Sequence, residues 1–376
     1  MKILLTGGGT GGHFYPLMAV AEALNSSADK EKIAKMEMVF MAEDPYDKDL
    51  LLKNGIKFKK VYSGKLRRYF SLLNIIDLLK IIPGILKAII SIYFDFPDVV
   101  FSKGGHESLP ALFAARFLGI PVVIHESDTV PGKANKWASR FAKRIAISFP
   151  DTVKYFKDQS LLAVTGNPIR KEFFIREKVG AREFLMLEAS VPTVFIIGGS
   201  QGAMAINETV LDILPELVQN FQIIHQCGPN NLSDTKARTD IVLADSDYQS
   251  RYRLFGTLNL DAMRMAYGAA DLVISRAGSS SIFEIAASGL PSIMVPLDGS
   301  AQDHQRENAY AYARGGAAVV IEQRNLAPHI LKSEIERLLN NYKEREKMSE
   351  AAAKFAKPLA AETIAREIIK VAINHK

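Results

Sequence analysis

The chain has 376 residues, 48% hydrophobic and 23% charged, a balance that fits a folded protein of about two domains and excludes a disordered one. Its formal charge of +6, from 47 Lys+Arg against 41 Asp+Glu, suits an anionic small ligand or an anionic membrane surface, and no nucleic-acid module accompanies it. Cys227 is the single cysteine, which excludes an internal disulfide, and no apolar signal core opens the chain, so a cytoplasmic protein is expected.

Strand-like apolar runs come first at "KILLT" (2–6), "EMVFM" (37–41), "DVVFS" (98–102), "PVVIHE" (121–126), "RIAIS" (144–148) and "LLAVTG" (161–166). A second series follows at "TVFIIGG" (193–199), "FQIIHQ" (221–226), "YRLFGT" (252–257), "DLVIS" (271–275), "PSIMVPL" (291–297) and "AAVVIE" (317–322). Helical patterns lie between them, at 16–25, 105–118, 203–219 and 280–288. Unbroken apolar strands alternating with helices predict parallel sheets covered on both faces. Twelve strands crowd one open sheet and split evenly, so the expected fold is α/β with two doubly wound, Rossmann-like domains. The polar run 230–250 reads as a surface excursion, and 358–376 as a last helix with apolar Ile364, Ile368, Ile369 and Ala372.

Three glycine turns follow strands. In "TGGGTGGHFYP" (6–16), Gly7, Gly9 and Gly12 satisfy G-x-G-x-x-G ahead of a helix expected near Pro16. No carboxylate stands at the distance a dinucleotide site needs, since Glu43 and Asp44 come about 30 residues later. His13 at that helix N-terminus would be held neutral and could serve as a base; the other reading is a solvated loop histidine. The second turn is "SKGGHES" (102–108), with Gly104, Gly105 and His106. The third, "IGGSQGAMAIN" (197–207), is the sharpest phosphate signal: Gly198, Gly199 and Gly202 admit an anion, with Ser200 and Gln201 beside them.

In "SRAGSSSIFEIAASGLP" (275–291), Gly278 and the run Ser279, Ser280 and Ser281 are expected to cap a helix, and Glu284 follows Ser281 at capping-box spacing. Glu284 is therefore either a cap residue or the acceptor for a ribose diol. "AQDHQRENA" (301–309) places Gln302, His304, Gln305 and Asn308 where they orient a sugar or face water. Leu72, Ile75, Ile76, Leu79, Ile82, Leu86, Ile90 and Tyr93 form an apolar stripe within 65–94, behind basic Lys65, Arg67 and Arg68. It is broken too often to span a bilayer and reads either as helices packed on the sheet or as a membrane-resting face. No set of side chains stands at metal-ligand spacing, so no metal and no cofactor is expected.

"GGTGGH" (8–13), "HES" to "NKW" (125–137), "GNPIR" (166–170), "GGSQGA" (198–203), "SRAGSSSIFEIAASGLP" and "DHQRENA" (303–309) together resemble the bacterial MurG family of N-acetylglucosaminyltransferases, from the first strand to the last helix. The resemblance implies a GT-B fold with an interdomain cleft. Its first domain, 1–165 joined by 358–376, would bind acceptor and membrane, and its second, 166–357, would bind UDP-GlcNAc. It implies inverting transfer of GlcNAc to the C4 hydroxyl of lipid-linked MurNAc-pentapeptide, at the cytoplasmic face of the membrane. Carried over, Thr10, Gly11, Gly12, Asp128, Arg170, Ser200, Gln201, Gly202, Ser279, Ser280 and Ser281 serve the donor, with Leu260 against uracil, Glu284 on the ribose and Gln305 on the sugar. Gly104, Gly105, His106 and Asn135 serve the acceptor; His13, then Glu126, are the candidate bases.

Two departures stand out. The chain reads "HESD" where the family has "HEQN", so Asp128 replaces an asparagine, and His106 stands where tyrosine is common. Other enzymes of the same fold, a diacylglycerol glycosyltransferase or a UDP-GlcNAc 2-epimerase, remain alternatives, as does a non-catalytic nucleotide-sugar-binding scaffold.

Overall fold

The computed structural model describes residues 1–30, 33, 35–64, 73–199 and 201–375. Two compact units emerge, Met1–Arg170 with Lys357–Lys376, and Lys171–Ala356.

The first unit carries a parallel seven-stranded sheet of β1 (Lys2–Thr6), β2 (Glu37–Ala42), β3 (Ile56–Lys60), β4 (Val99–Ser102), β5 (Val122–Glu126), β6 (Arg144–Ile147) and β7 (Leu162–Val164), in the order β3-β2-β1-β4-β5-β6-β7. The second carries a parallel six-stranded sheet of β8 (Thr193–Ile197), β9 (Gln222–Gln226), β10 (Tyr252–Phe255), β11 (Leu272–Ser275), β12 (Ser292–Met294) and β13 (Ala318–Val320), in the order β10-β9-β8-β11-β12-β13. In each sheet the strand order reverses once, between β1 and β4 and between β8 and β11. Such a reversal leaves a crevice at the carboxyl ends of those strands.

Among the described residues thirteen strands replace the twelve expected. The extra one, β3 ("IKFKK"), is an edge strand paired with β2; Lys57 and Lys60 are exposed, Lys59 is half-buried on Asp95, and Ile56 is buried. An edge strand needs only half an apolar pattern, which hid it. The first helix runs Gly11–Lys30, with Pro16 inside it rather than opening it. The 105–118 pattern divides into a 3-10 turn at His106–Ser108 and a helix at Leu109–Phe117. The polar excursion contains a helix, Leu232–Val242, whose buried side chains include Thr235 and Thr239 rather than an apolar stripe, so periodicity gave no signal.

The helix Ala360–Ile373 packs on the Gly11–Lys30 helix. Its Ile364, Ile368 and Ile369 share one core with Phe14, Leu17 and Leu24. Burying each such side chain contributes roughly 1.5–3 kcal/mol, enough to seat this last helix on the first unit.

Candidate active site

β1 and β4 are neighbours in register, Thr6 opposite Ser102, so the turns that follow them lie side by side. They fit because they lack side chains. A Cβ on Gly8 would meet Glu107 Oε2 at 2.5 Å, and one on Gly104 would lie 2.7 Å from the Asn135 carboxamide. Gly105, at a left-handed φ of +80°, passes beside the His13 imidazole, whose Nε2 lies 3.6 Å from where a Gly105 Cβ would stand.

His13 occupies the first turn of its helix, its backbone N–H bonded to the Thr10 carbonyl at 3.1 Å. Its ring hydrogen-bonds the Lys103 backbone, and Nδ1 is enclosed with no partner. Burial first, then the Lys103 charge, pulls His13 down to about 4, so the imidazole is neutral at physiological pH. Thr10 and Gly12 are exposed at the mouth of this turn. Gly11 is buried, and a Cβ there would lie 2.7 Å from the Tyr46 hydroxyl.

The end of β5 supplies Glu126. Its carboxylate accepts from the Asp128 and Gly132 backbone N–H groups, each at 3.0 Å, and from Asn135 Nδ2 at 2.9 Å. Burial raises it to about 7, helped by the Asp128 charge and opposed by those donors. Asn135 is buried and also donates to the His125 carbonyl, so it positions Glu126 rather than presenting an open surface. Asp128 follows on the same loop, its carbonyl held by Thr152 Oγ1 at 3.2 Å. The Arg170 guanidinium stacks over Tyr15, two residues beyond His13, at 4.5 Å.

Sequence reasoning passed over the most enclosed charge among the described residues of this unit. Lys103 is 1% exposed, and its Nζ reaches His125 Nδ1 at 2.6 Å, Ser127 Oγ at 2.5 Å and Asn167 Oδ1 at 3.0 Å. A lysine directly after a strand and before two glycines was the available signal. An open cavity of about 790 Å³ on the same unit is lined by Tyr15, Glu43, Asp44, Tyr46, Phe58 and Lys60, and neither His13 nor Glu126 lines it.

In the second unit the corresponding turn is a backbone cradle. A Cβ on Gly202 (φ +80°) would lie 1.9 Å from the Cys227 carbonyl oxygen, and one on Gly228 would lie 2.5 Å from that of Gln201. Asn207 and Asn231 both donate to the Cys227 carbonyl, at 2.9 and 2.8 Å. Neither the helix Met204–Asn220 nor the helix Ser279–Ala287 carries a side-chain cap, and nothing lies within 4 Å of a Cβ on Gly278. β8 and β11 pair with Ile197 opposite Ser275, which sets both uncapped N-termini at one end of the sheet. Backbone N–H groups and helix dipoles there suit phosphate oxygens. Gln201 is exposed and Gly202 partly so; Ser200 lies outside the described residues.

The capping-box reading of Ser281 and Glu284 is corrected. Gly278 is the N-cap, which puts Ser281 at the third helical position and Glu284 in the second turn, where Tyr267 donates to its Oε2 at 3.5 Å. Ser279 is buried, Ser280 and Ser281 partly exposed. Leu260 opens a helix capped by Asn259 and is partly exposed. Gln305 accepts from the Leu297 N–H at 3.0 Å. Asn308, expected on a sugar or in water, is instead fully buried and donates to the Ala277 carbonyl at 3.3 Å.

Of the apolar stripe and its basic flank, Leu72, Lys65, Arg67 and Arg68 lie outside the described residues, as do the side chains of Ile75, Ile76 and Leu79. The rest faces outward on the helix Leu73–Asp95. Ile82, Leu86, Ile90 and Tyr93 are all more than half exposed, while Gly84, Ala88 and Ile92 face the core. Phe94, Phe96, Phe113 and Phe117 are exposed as well. Among the described residues no helix is long and apolar enough to cross a membrane.

Models of the glycosyltransferase family 28 N-terminal and C-terminal domains match residues 3–147 and 193–364. The chain is 36% identical over 348 residues to the UDP-N-acetylglucosamine–N-acetylmuramyl-(pentapeptide) pyrophosphoryl-undecaprenol N-acetylglucosamine transferase of Clostridium novyi, covering 92% of each. It is similar to the crystal structure of Acinetobacter baumannii MurG, with a TM-score of 0.73 and 28% identity over 98% of this chain and 99% of that one. A Neisseria meningitidis UDP-GlcNAc 2-epimerase shares the fold at a TM-score of 0.68 and 15% identity, each chain covered in full. With both halves matched, and with two doubly wound parallel-sheet units of GT-B type, the chain belongs to glycosyltransferase family 28.

Proposed function

We propose that this chain transfers GlcNAc from UDP-GlcNAc to the C4 hydroxyl of MurNAc in the undecaprenyl-pyrophosphoryl-MurNAc-pentapeptide acceptor, in one inverting displacement. The observation that carries the reading is His13, a neutral imidazole whose enclosed Nδ1 has no hydrogen-bond partner. As the C4 oxygen bonds to the anomeric carbon, the bond from that carbon to the UDP oxygen breaks, and the hydroxyl proton passes to Nδ1. Glu126, held near neutrality, is the alternative proton acceptor.

The donor reading assigns the UDP diphosphate to the two uncapped helix N-termini, with Thr10, Gly11, Gly12, Asp128, Arg170, Gln201 and Gly202 serving it and Leu260 against uracil. Glu284 would take the ribose, and Gln305, whose Oε1 is already engaged, would offer its amide N–H groups to the sugar. Gly104, Gly105 and His106 would line the acceptor side. The face formed by Ile82, Leu86, Ile90 and Tyr93 would rest on the cytoplasmic surface of the membrane, which presents the lipid-linked acceptor.

The test mixes purified protein, UDP-GlcNAc and a short-chain lipid-linked acceptor without added metal, and follows products by mass spectrometry. A disaccharide with one UDP released per transfer is expected. Conversion of UDP-GlcNAc with no acceptor present would overturn the reading in favour of an epimerase, and binding without turnover would favour a scaffold. For the membrane face, Leu86→Glu with Ile90→Glu is expected to cut co-sedimentation with anionic vesicles about tenfold and to leave turnover of a detergent-soluble acceptor unchanged.

A further inference from the structure

Ser127 and Asp128, where the chain departs from the family pattern, have a further use in the structure. Lys103 follows β4 directly. The three hydrogens of an ammonium match three acceptors: His125 Nδ1, Ser127 Oγ and Asn167 Oδ1, at 2.6, 2.5 and 3.0 Å. The histidine is in the right tautomer, since its Nε2 meets the Gly166 carbonyl at 3.0 Å and must carry the hydrogen there. All three acceptors are neutral. The balancing charge comes from the carboxylates of Glu126 and Asp128, which both favour the charged lysine.

We propose that Lys103 is a positioning residue for transfer: its caged ammonium clamps the ends of β4 and β5 to the segment after β7, and its backbone, bonded to the Thr6 carbonyl at 3.0 Å beside Gly7, sets that positive charge against the loop that carries His13, opposing protonation of the imidazole. This rests on the reading of His13 as the base. The clamp closes a ring of contacts. Asn167 lies three residues before Arg170, Arg170 stacks on Tyr15, and Tyr15 lies two residues after His13 on the same helix turn. Ser127 thereby serves as an acceptor in the cage, and Asp128 as part of its counter-charge.

The charged and titratable groups acting on His13 are Lys103 at the end of β4, His106 on the 3-10 turn and Asp128 after β5. His125 couples to it from β5, and Glu107 borders the glycines of its own loop. Lys103 and His106 oppose protonation of His13, and Asp128 favours it. Burial draws Lys103 itself down to about 7, so the cage loses its charge as pH rises through neutrality.

The experiment titrates the histidine ring signals of the full-length chain by NMR, with His13 assigned by loss of its signal in His13→Gln. In Lys103→Met the His13 midpoint is expected to rise by about one pH unit or more, because the opposing charge is gone while burial remains. Asn167→Asp, which neutralises the cage without removing the lysine, is expected to raise it too, and it keeps the test open if Lys103→Met does not fold. The acid limb of kcat/KM should move with the midpoint. A purely structural role would lower thermal stability and leave the His13 midpoint within about 0.3 unit of the parent in both variants, and that result overturns the proposal. A midpoint that moves while the acid limb stays fixed would support the Lys103 assignment and overturn His13 as the base.

Discussion

The carboxyl ends of the two sheets occupy the same place in the same topology, yet they are built from different chemistry. At the β1–β4 reversal the chain concentrates ionisable side chains. His13, Lys103, His125 and Glu126 are all moved from their ordinary protonation range by burial first and by neighbouring charges second. At the β8–β11 reversal it uses glycines, amide side chains and helix N-termini, and the one buried histidine, His225, is locked neutral between Asn207 and Tyr252. A site that moves a proton needs groups poised near neutrality. A site that holds a phosphate needs fixed dipoles that do not titrate. On the proposed reading the two ends divide proton handling from anion binding, and the division can be tested from either side.

The largest effect is expected at His13. His13→Ala should reduce turnover about 10²–10⁴-fold, the usual range for losing a positioned base, while equilibrium binding of UDP-GlcNAc stays within about twofold. Equal losses in both would erase the division, because His13 would then be part of the donor cradle.

Next comes Gly202→Ala. Its Cβ would stand 1.9 Å from a backbone carbonyl oxygen at a left-handed φ of +80°, so the cradle must open to admit it. A loss of at least about 3 kcal/mol in the unfolding of the second unit is expected by calorimetry, with UDP binding abolished. Retained stability would show that the turn is looser than its geometry.

The smallest effect sharpens the contrast through pH. His225 titrates at about 3 in the folded chain against an ordinary 6.5, so between those values only the unfolded chain takes up the proton. Stability of the second unit is therefore lost as pH falls through that window, by about 2 kcal/mol between pH 6.5 and 5. Calorimetry should show His225→Gln losing less over that interval. Glu126 has the opposite sign: raised to about 7 from 4.5, it favours the folded state below about 4.5 and loses that contribution as pH rises to about 7. The first unit thus combines opposing slopes, since His13 behaves as His225 does.

Much of this was legible in sequence. The glycine turns, the uninterrupted apolar strands and the helices after them could be read because glycine and strand periodicity are local properties. β3 escaped because an edge strand tolerates lysines, and the helix start escaped because Pro16 suggested a first-turn position it does not occupy. The Ser281–Glu284 spacing matched a capping box that the backbone does not form, since Gly278 enters the helix first. For Lys103 the sequence offered only its place between a strand and two glycines, since its three partners lie 22, 24 and 64 residues away along the chain.

The sequence by itself determined the α/β class, the doubly wound alternation and the places of the glycine turns, because each depends on neighbours within a few positions. Only the tertiary structure decided which polar side chains are buried together and hence which are neutral or charged. Dielectric environment and charge pairing are set by strands brought side by side, and no local pattern encodes them.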